Sequence, residues 1–192
     1  MGLVPIGSDP NSGLWEFWHV TSGEEPRRGE DGKLVLTEEM GLVFVLIPQG
    51  SFWMGAQQSD PSGRNFDSQA GSDESPVHEV SLDAYFLSKY EMTQAQWLRF
   101  TGRNPSAYGP WNYSRSWNQA GRDWSGLHPV AQVSWTDCSE LLERLGLSLP
   151  TEAQWERGAR GGTKSRWWTG DDLESVAGAA NLLRLQVPLF GL

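Results

Sequence analysis

The alternation of apolar and polar residues marks several short strands along the chain. Residues 14–20 (L-W-E-F-W-H-V) alternate in this way and predict one strand, or a segment that docks on a neighbour. Residues 42–48 (L-V-F-V-L-I-P) form an apolar run rich in β-branched residues, which predicts a strand buried on both faces. Gln49 and Gly50 then make a turn into residues 51–55, so this region predicts a β-hairpin. Two further strands are predicted over residues 77–82 and 85–90.

One segment carries complete start and stop signals for a helix. In residues 149–162 (L-P-T-E-A-Q-W-E-R-G-A-R-G-G), Thr151 and Gln154 have the spacing of a capping box. Glu152 lies at the positive end of the helix dipole, and basic residues lie at the opposite end. Gly161 supplies a left-handed exit, so the sequence predicts a short, rigid helix here.

Two more helices are predicted upstream. Thr93 repeats the capping signal and opens a helix over residues 94–100 that ends at Gly102, while Ser134 opens a helix that ends at Gly146. The first of them has an apolar stripe of Ala95, Leu98 and Thr101 and a second of Trp97 and Phe100. The other helix has a stripe of Cys138, Leu141, Leu142 and Leu145.

These elements predict an α+β class with a large irregular fraction. We expect a domain over residues 41–182, preceded by an N-terminal extension or linker over residues 1–40 and followed by an atypical apolar tail over residues 183–192. The polar loop over residues 56–75 is of a length usually associated with function or disorder, and residues 102–127 form a second long loop. The second loop carries Trp111, Trp117 and Trp124.

Composition narrows the class of partner. The formal net charge of -9 argues against nucleic acid or an anionic membrane, since both require a positive surface. It is compatible with divalent cations without pointing to one. The chain has a single cysteine, so it can form no intrachain disulfide. It shows no basic leader followed by an apolar run, and no apolar stretch near the roughly 20 residues of a spanning helix. We therefore expect a cytoplasmic protein.

Four blocks of the sequence match, in order, the motifs of one enzyme family. They are residues 44–55 (F-V-L-I-P-Q-G-S-F-W-M-G), 74–97 (with P-V-H-E-V and K-Y-E-M-T-Q-A-Q-W), 128–135 (H-P-V-A-Q-V-S-W) and 149–171 (with L-P-T-E-A-Q-W-E, A-R-G-G and G-D). Through these blocks the chain resembles the formylglycine-generating enzymes, also called sulfatase-modifying factors. The resemblance implies a C-type-lectin-like α+β fold with short strands, three short capped helices and much irregular loop.

The resemblance also implies a chemistry. Active members of the family oxidise the cysteine of a C-x-P-x-R segment in a sulfatase to Cα-formylglycine, using O2 and Cu(I) held by two thiolates, the soft ligands that Cu(I) prefers. This chain has Cys138 alone, on the apolar stripe of a helix, where we expect a buried and protonated thiol. The copper ligands of the family are therefore absent from these residues, and we expect the chain as given to be inactive as an oxidase.

The resemblance ends near residue 182. Asn181 and Leu182 match the start of a calcium site of the family, through a side-chain oxygen and a carbonyl oxygen respectively, so the resemblance implies a partial calcium site. Asn181 as an ordinary turn residue is an equal alternative. The tail over residues 183–192 replaces the continuation of the family, which suggests a truncated or frame-shifted reading.

The histidines and the paired carboxylates favour structural roles. His19, His78 and His128 lack metal-ligand spacing, and we interpret the last two as hydrogen-bonding frame residues. Glu152 and Glu156 share a helix face, but a glutamate in the first turn usually serves the helix dipole, so we predict no acid/base pair.

Two functions from different classes remain open. The first is a sulfatase-modifying-factor domain that acts on a sulfatase-type polypeptide. The second is a non-catalytic, lectin-like module that binds a ligand or another protein through the loops over residues 56–75 and 102–127.

Overall fold

A computed structural model describes residues 2–110 and 125–176, which belong to two compact units. The first unit comprises Met1–Gln49 and Asp83–Thr151, and the second comprises Gly50–Leu82 and Glu152–Leu192. The described residues form eight strands: β1 (Leu3–Ser8), β2 (Trp15–His19), β3 (Arg27–Arg28), β4 (Leu34–Val35), β5 (Val43–Ile47), β6 (Gly50–Met54), β7 (His78–Leu82) and β8 (Tyr85–Ser88). They also form the helices α1 (Gln94–Thr101), α2 (Trp135–Arg144) and α3 (Glu152–Arg160). This mixture of short strands, short helices and long irregular connections is the α+β fold that the sequence predicts.

The first unit contains an antiparallel sheet with the strand order β1-β2-β5-β8. The strand predicted over residues 14–20 is confirmed as β2, which lies inside this sheet and pairs Phe17 with Phe44 of β5. Residues 1–40 thus contribute two strands to the main sheet, and β3 and β4 form a small ribbon of their own. The predicted domain boundary at residue 40 stays a prediction.

The predicted hairpin between residues 42–48 and 51–55 is wrong. In the structure β5 is hydrogen-bonded to β2 on one side and to β8 on the other, whereas β6 pairs with β7 in the second unit. Both hydrogen-bonding edges of β5 are therefore occupied by strands that are distant in sequence, and no edge remains for β6. Val43 and Phe44 are buried as predicted, while the rest of β5 is half-buried.

The core of the first unit is built around Leu34, Met40 and Val43, with Ile6 and Tyr90 packed against it. Helix α1 adds Trp97, which is almost completely buried, so one of its two predicted stripes is confirmed in part. The other buried residues of α1 are not the apolar ones of the first stripe but Gln94 and Gln96.

Both glutamines are buried because their amides satisfy backbone groups. The Gln94 side chain donates to the Tyr108 carbonyl over 2.8 Å, and the Gln96 side chain donates to the Met40 carbonyl over 3.1 Å. A polar side chain can be buried at low cost when it is hydrogen-bonded in this way.

The predicted helix caps agree with the structure in the first unit. Thr93 and Gln96 form a capping box at α1, and Gly102 ends this helix in the left-handed conformation with φ 74°. Ser134 and Asp137 form a second capping box at α2. Of the predicted stripe of α2 only Leu141 is fully buried, and Cys138 is half-buried rather than enclosed in the core.

The second unit contains the β6–β7 ribbon and α3. In the ribbon, Phe52 pairs with Val80, and Ser51 and Ser81 share a hydroxyl hydrogen bond of 2.7 Å. Helix α3 begins at Glu152 and is followed by Gly161 at φ 56°, as its sequence predicts. The capping box predicted at its N-terminus stays a prediction.

Several predicted features lie outside the described residues. They are Trp111, Trp117 and Trp124, the calcium-site residues Asn181 and Leu182, and the tail over residues 183–192. None of the helices in the described part of the chain is both long enough and apolar enough to cross a lipid bilayer.

Candidate functional site

Gly55, the last residue of the F-W-M-G motif, is a hub of hydrogen bonds in the second unit. Its N–H donates to Glu156 Oε1 on α3 over 2.8 Å, and its carbonyl accepts from Arg160 Nη2 over 2.8 Å. The carbonyl also accepts from Asn65 Nδ2 over 2.8 Å. Arg160 Nε in turn donates to Glu156 Oε1 over 2.7 Å. Two sequence motifs about a hundred residues apart therefore meet at one backbone unit.

Only glycine can occupy this hub without displacing its neighbours. Gly55 has φ 90°, and a Cβ atom there would lie 2.5 Å from the Glu74 carbonyl oxygen. Asn65 also has a positive φ of 53°, and its buried side chain donates to the carbonyls of both Trp53 and Gly55. These contacts tie the polar loop over residues 56–75 to the end of β6, so this loop is organised by its own side chains.

Side chains of helix α3 hold the backbone at both ends of β6. Arg157 Nη1 donates to the Gly50 carbonyl over 2.9 Å at the other end of β6. Glu152, one turn before Glu156, and Trp155 are exposed to solvent. The Glu156 carboxylate is engaged by a backbone amide and a guanidinium, and the absence of an acid/base pair with Glu152 stays a prediction.

A buried cluster of charges lies in the first unit. The Glu16 carboxylate on β2 is completely inaccessible to solvent, and it contacts Arg28 Nη2 over 2.6 Å and Lys89 Nζ through its other oxygen. Lys89 belongs to the K-Y-E-M-T motif and also contacts Asp9. Two carboxylates and two cations thus neutralise one another in a site shielded from water.

The charge states of this cluster follow from its contacts. The hydrogen bond from Lys89 holds the pKa of the Asp9 carboxyl well below its usual range. Burial opposes the charge on Lys89, but the hydrogen bonds to Asp9 and Glu16 outweigh it and raise the pKa of the ammonium. Burial also raises the pKa of the neighbouring Tyr90 phenol. Asp9 and Lys89 therefore stay ionised around neutral pH, and Tyr90 stays protonated.

A small cavity of about 160 Å³ adjoins the core of the first unit. Its apolar lining consists of Leu36, Met40, Leu42, Val43, Leu127 and Pro129. Its polar lining includes Thr37, Ser88, Tyr90, Glu91, Thr93 and Gln96. An apolar wall with a few polar groups is the usual character of a small-ligand pocket, although this volume suits only a small molecule or one side chain.

The histidines do not converge. His19 is buried on β2, and burial lowers the pKa of its imidazole, so the ring is neutral. His78 Nδ1 lies 2.8 Å from the Pro76 carbonyl, and His128 Nδ1 lies 3.0 Å from the Ser125 carbonyl. Their predicted role as frame residues is confirmed, and within residues 2–110 and 125–176 no group of three or more acidic, histidine or cysteine side chains could hold a metal.

The residues of this chain do not fit the two-thiolate copper site that the resemblance implies. Cys138 is the single cysteine of the sequence, and on α2 it is half-buried. Burial, together with the nearby charge of Asp137, raises the pKa of its thiol. A protonated thiol without a sulfur partner is a poor ligand for Cu(I).

Reasoning from sequence missed the hub and the charge cluster. No local pattern marks Asn65 or Arg160, because Asn65 bonds to carbonyls 10 and 12 residues away and Arg160 bonds to a carbonyl 105 residues away. The burial of Glu16 had one local signal, since a glutamate between Trp15 and Phe17 in a strand is unusual. Nothing local to Asp9 or Lys89 indicates that the two residues pair.

Comparison with known proteins agrees with the motifs. Residues 35–186 match the family model described as "Sulfatase-modifying factor enzyme 1-like domain". A "Formylglycine-generating enzyme" of Mus musculus is 30% identical over 184 residues, which cover 77% of this chain and 44% of that protein. A "Serine/threonine-protein kinase pkn1" of Chlamydia pneumoniae is 32% identical over 154 residues, which cover 73% of this chain and 22% of that protein.

Among solved structures, PvdO from Pseudomonas aeruginosa aligns with a TM-score of 0.46 and 21% identity, over 74% of this chain and 53% of that chain. The chain spans less than half the length of the mouse and chlamydial relatives that it matches. Because the family model covers most of its residues, the chain belongs to the sulfatase-modifying factor (formylglycine-generating enzyme) family.

Proposed function

We propose that this sulfatase-modifying-factor domain recognises a sulfatase-type polypeptide, and that its 192 residues alone do not convert the peptide's cysteine to formylglycine. Family membership supports the first part. The observation that carries the second part is the lone thiol of Cys138, which is half-buried and has a raised pKa.

The proposal follows from the coordination chemistry of copper. Two thiolates side by side satisfy the preference of Cu(I) for soft ligands, and a single protonated thiol does not. Cys138 also belongs to a capped helix whose first turn carries Asp137, so its surroundings disfavour the thiolate further.

The test uses the full chain and a synthetic peptide that contains C-x-P-x-R. Cu(I) is titrated in competition with a chelator of known affinity, and aldehyde formation under O2 is followed by hydrazide labelling and mass spectrometry. We expect weak copper binding and no aldehyde. Tight one-to-one copper binding that disappears in Cys138→Ser, or aldehyde formation by the chain alone, would refute the proposal of inactivity.

Peptide recognition is tested separately by fluorescence anisotropy with a peptide whose cysteine is replaced by serine, so that no oxidation can occur. Saturable binding that weakens when the peptide's proline and arginine are replaced supports recognition of a sulfatase-type segment. Absence of saturable binding, or binding that ignores these replacements, contradicts it.

A second candidate function is a non-catalytic binding module. It is favoured by the match to a chlamydial protein named as a kinase, in which the aligned part is 22% of that protein. The cavity lined by Met40 and Tyr90 offers the first unit a place for a small group of a ligand. The variant Met40→Trp would fill this cavity. If the chain is a binding module of this kind, the variant folds but binds the ligand more weakly.

We also propose a weak calcium site at Asn181 and Leu182, on the strength of the family resemblance. Calcium takes six to eight oxygen ligands, so one amide and one carbonyl would need water or other oxygens to complete the shell. The test is a Ca²⁺ titration followed by thermal unfolding, with Asn181→Ala and the matched turn variant Asn11→Ala. A stabilisation lost only in Asn181→Ala supports the site, and an unchanged Tm in the parent chain contradicts it.

A further inference from the structure

We propose that residues 2–28, which precede the family-matched part of the chain, are an obligatory component of the first unit because they supply the counter-ions of Lys89 in the K-Y-E-M-T motif. The family model begins at residue 35, so it contains Lys89 but neither Asp9 nor Glu16. The inference goes beyond the proposed function and does not depend on it.

The charges make the first argument. Lys89 is only 19% exposed at its side chain, and the acidic groups that contact it are Asp9 and the fully buried Glu16. Without residues 2–28 its ammonium would lose both of these partners. In their presence Arg28, from the same segment, balances the second carboxylate oxygen of Glu16. A shielded charge that loses its partner is strongly destabilising, so the segment and the motif depend on each other.

The backbone makes the second argument. Strand β2 pairs Trp18 with Val43 and Glu16 with Val45, so it covers an edge of β5 along most of its length. Next to this ladder, the His19 N–H donates to the Leu42 carbonyl over 3.0 Å. An apolar central strand without this neighbour would expose a row of unpaired amide and carbonyl groups.

A buried serine links the segment after β2 to the residue that precedes β5. Ser22 Oγ accepts a hydrogen bond from the Leu42 N–H over 2.7 Å and donates to the His19 carbonyl over 2.6 Å. Ser22 is completely buried, so this bridge is shielded from water. Charge pairing, strand pairing and a buried bridge thus all join residues 2–28 to the family-matched part.

The contacts of Lys89 also affect the wall of the cavity in the first unit. Ser88 and Tyr90, the neighbours of Lys89 along the chain, both line the cavity of the first unit. An anchored Lys89 therefore fixes the backbone that presents these two side chains.

The experiment measures amide hydrogen exchange by mass spectrometry on the full chain. Glu16→Gln removes the buried charge, and Glu30→Gln is the matched control, because Glu30 is exposed in the turn next to the same segment. We expect Glu16→Gln to accelerate exchange at least about tenfold in β1 and β2 and, by the same factor, in β5 and β8. Glu30→Gln should leave all four strands unchanged.

An independent extension would behave differently. Acceleration confined to residues 2–28, with β5 and β8 unchanged, overturns the proposal, and so does an absence of acceleration in every strand. If Glu16→Gln does not fold, Asp9→Asn gives the milder test with the same readout, because Asp9 lies at the margin of the cluster. The reciprocal variant Lys89→Met must loosen β1 and β2 although it leaves their sequence intact; unchanged exchange there also overturns the proposal.

Discussion

The hub at Gly55 makes a sharp prediction about two glutamates on one helix. Glu156 on α3 accepts from the Gly55 N–H and from Arg160, and its side chain is 18% exposed. Glu152 lies one turn earlier and is exposed to solvent. Replacing either glutamate by glutamine removes one negative charge from the same helix, so the difference between the variants isolates the hub.

The expected magnitudes follow from the contacts. Hydrogen bonds to a charged group contribute about 1.5–3 kcal/mol each. In Glu156→Gln the amide oxygen still accepts from Gly55, but Arg160 loses its anionic partner, so we expect a loss of about 2 kcal/mol. Glu156→Ala removes both contacts and should cost about 4 kcal/mol. Glu152→Gln loses only its interaction with the helix dipole, about 0.5 kcal/mol.

The assay is amide exchange at the end of β6, with urea unfolding as the global measure. A loss of about 2 kcal/mol corresponds to about 30-fold faster exchange of the Gly55 amide, provided that the exchange rate follows the equilibrium population of the open state. Equal effects of Glu156→Gln and Glu152→Gln would refute the reasoning. So would a change below about 0.5 kcal/mol in Glu156→Ala.

Three other predictions concern single contacts. Asn65→Gly should destabilise the second unit by about 2 kcal/mol, because two hydrogen bonds are lost. Asn65→Ala should cost about 1 kcal/mol more, because alanine tolerates a φ of 53° poorly. Amide exchange in β6 measures both variants, and equal costs would contradict the role given to the positive φ. Thr93→Ala removes the oxygen that accepts from the Gln96 N–H and should cost about 1 kcal/mol, measured by urea unfolding, whereas an unchanged midpoint would deny the cap any role. Because burial lowers the pKa of His19, the unfolded state takes up a proton more readily than the folded state as the pH drops from 7 to 5, so the free energy of unfolding falls over this range. One proton sets an upper limit of about 1.4 kcal/mol per pH unit on this slope. The slope should flatten in His19→Gln, and its persistence in that variant would assign it to another group.

Local signals predicted the local elements well. The capping residues Thr93 and Ser134 fix where two helices begin, because side-chain oxygens and backbone amides a few residues apart determine a helix start. The alternating segment around Glu16 likewise predicted β2. Such features need only neighbours within one turn or one strand, and a single sequence contains all of them.

Pairing between distant segments could not be predicted in the same way. The short turn at Gln49 and Gly50 predicts that β5 and β6 pair with each other, yet β5 pairs with β2 and β8. The choice depends on the free energy of a whole sheet, which no local pattern reports. The same reason explains why the pairing of Lys89 with Glu16 was not predicted, since the two are 73 residues apart.

The roles of the motif residues bear on what a motif match can establish. Gly55 accepts no side chain, Glu156 and Arg160 hold its backbone, and Lys89 balances buried carboxylates. Each of these residues is explained by packing and hydrogen bonding in the described structure, and none of them needs a substrate. A polypeptide can therefore keep these motifs, and with them the fold of the family, whether or not it supplies the two sulfurs that copper oxidation requires. For this chain the motifs establish the fold and the family, and they do not by themselves establish an activity.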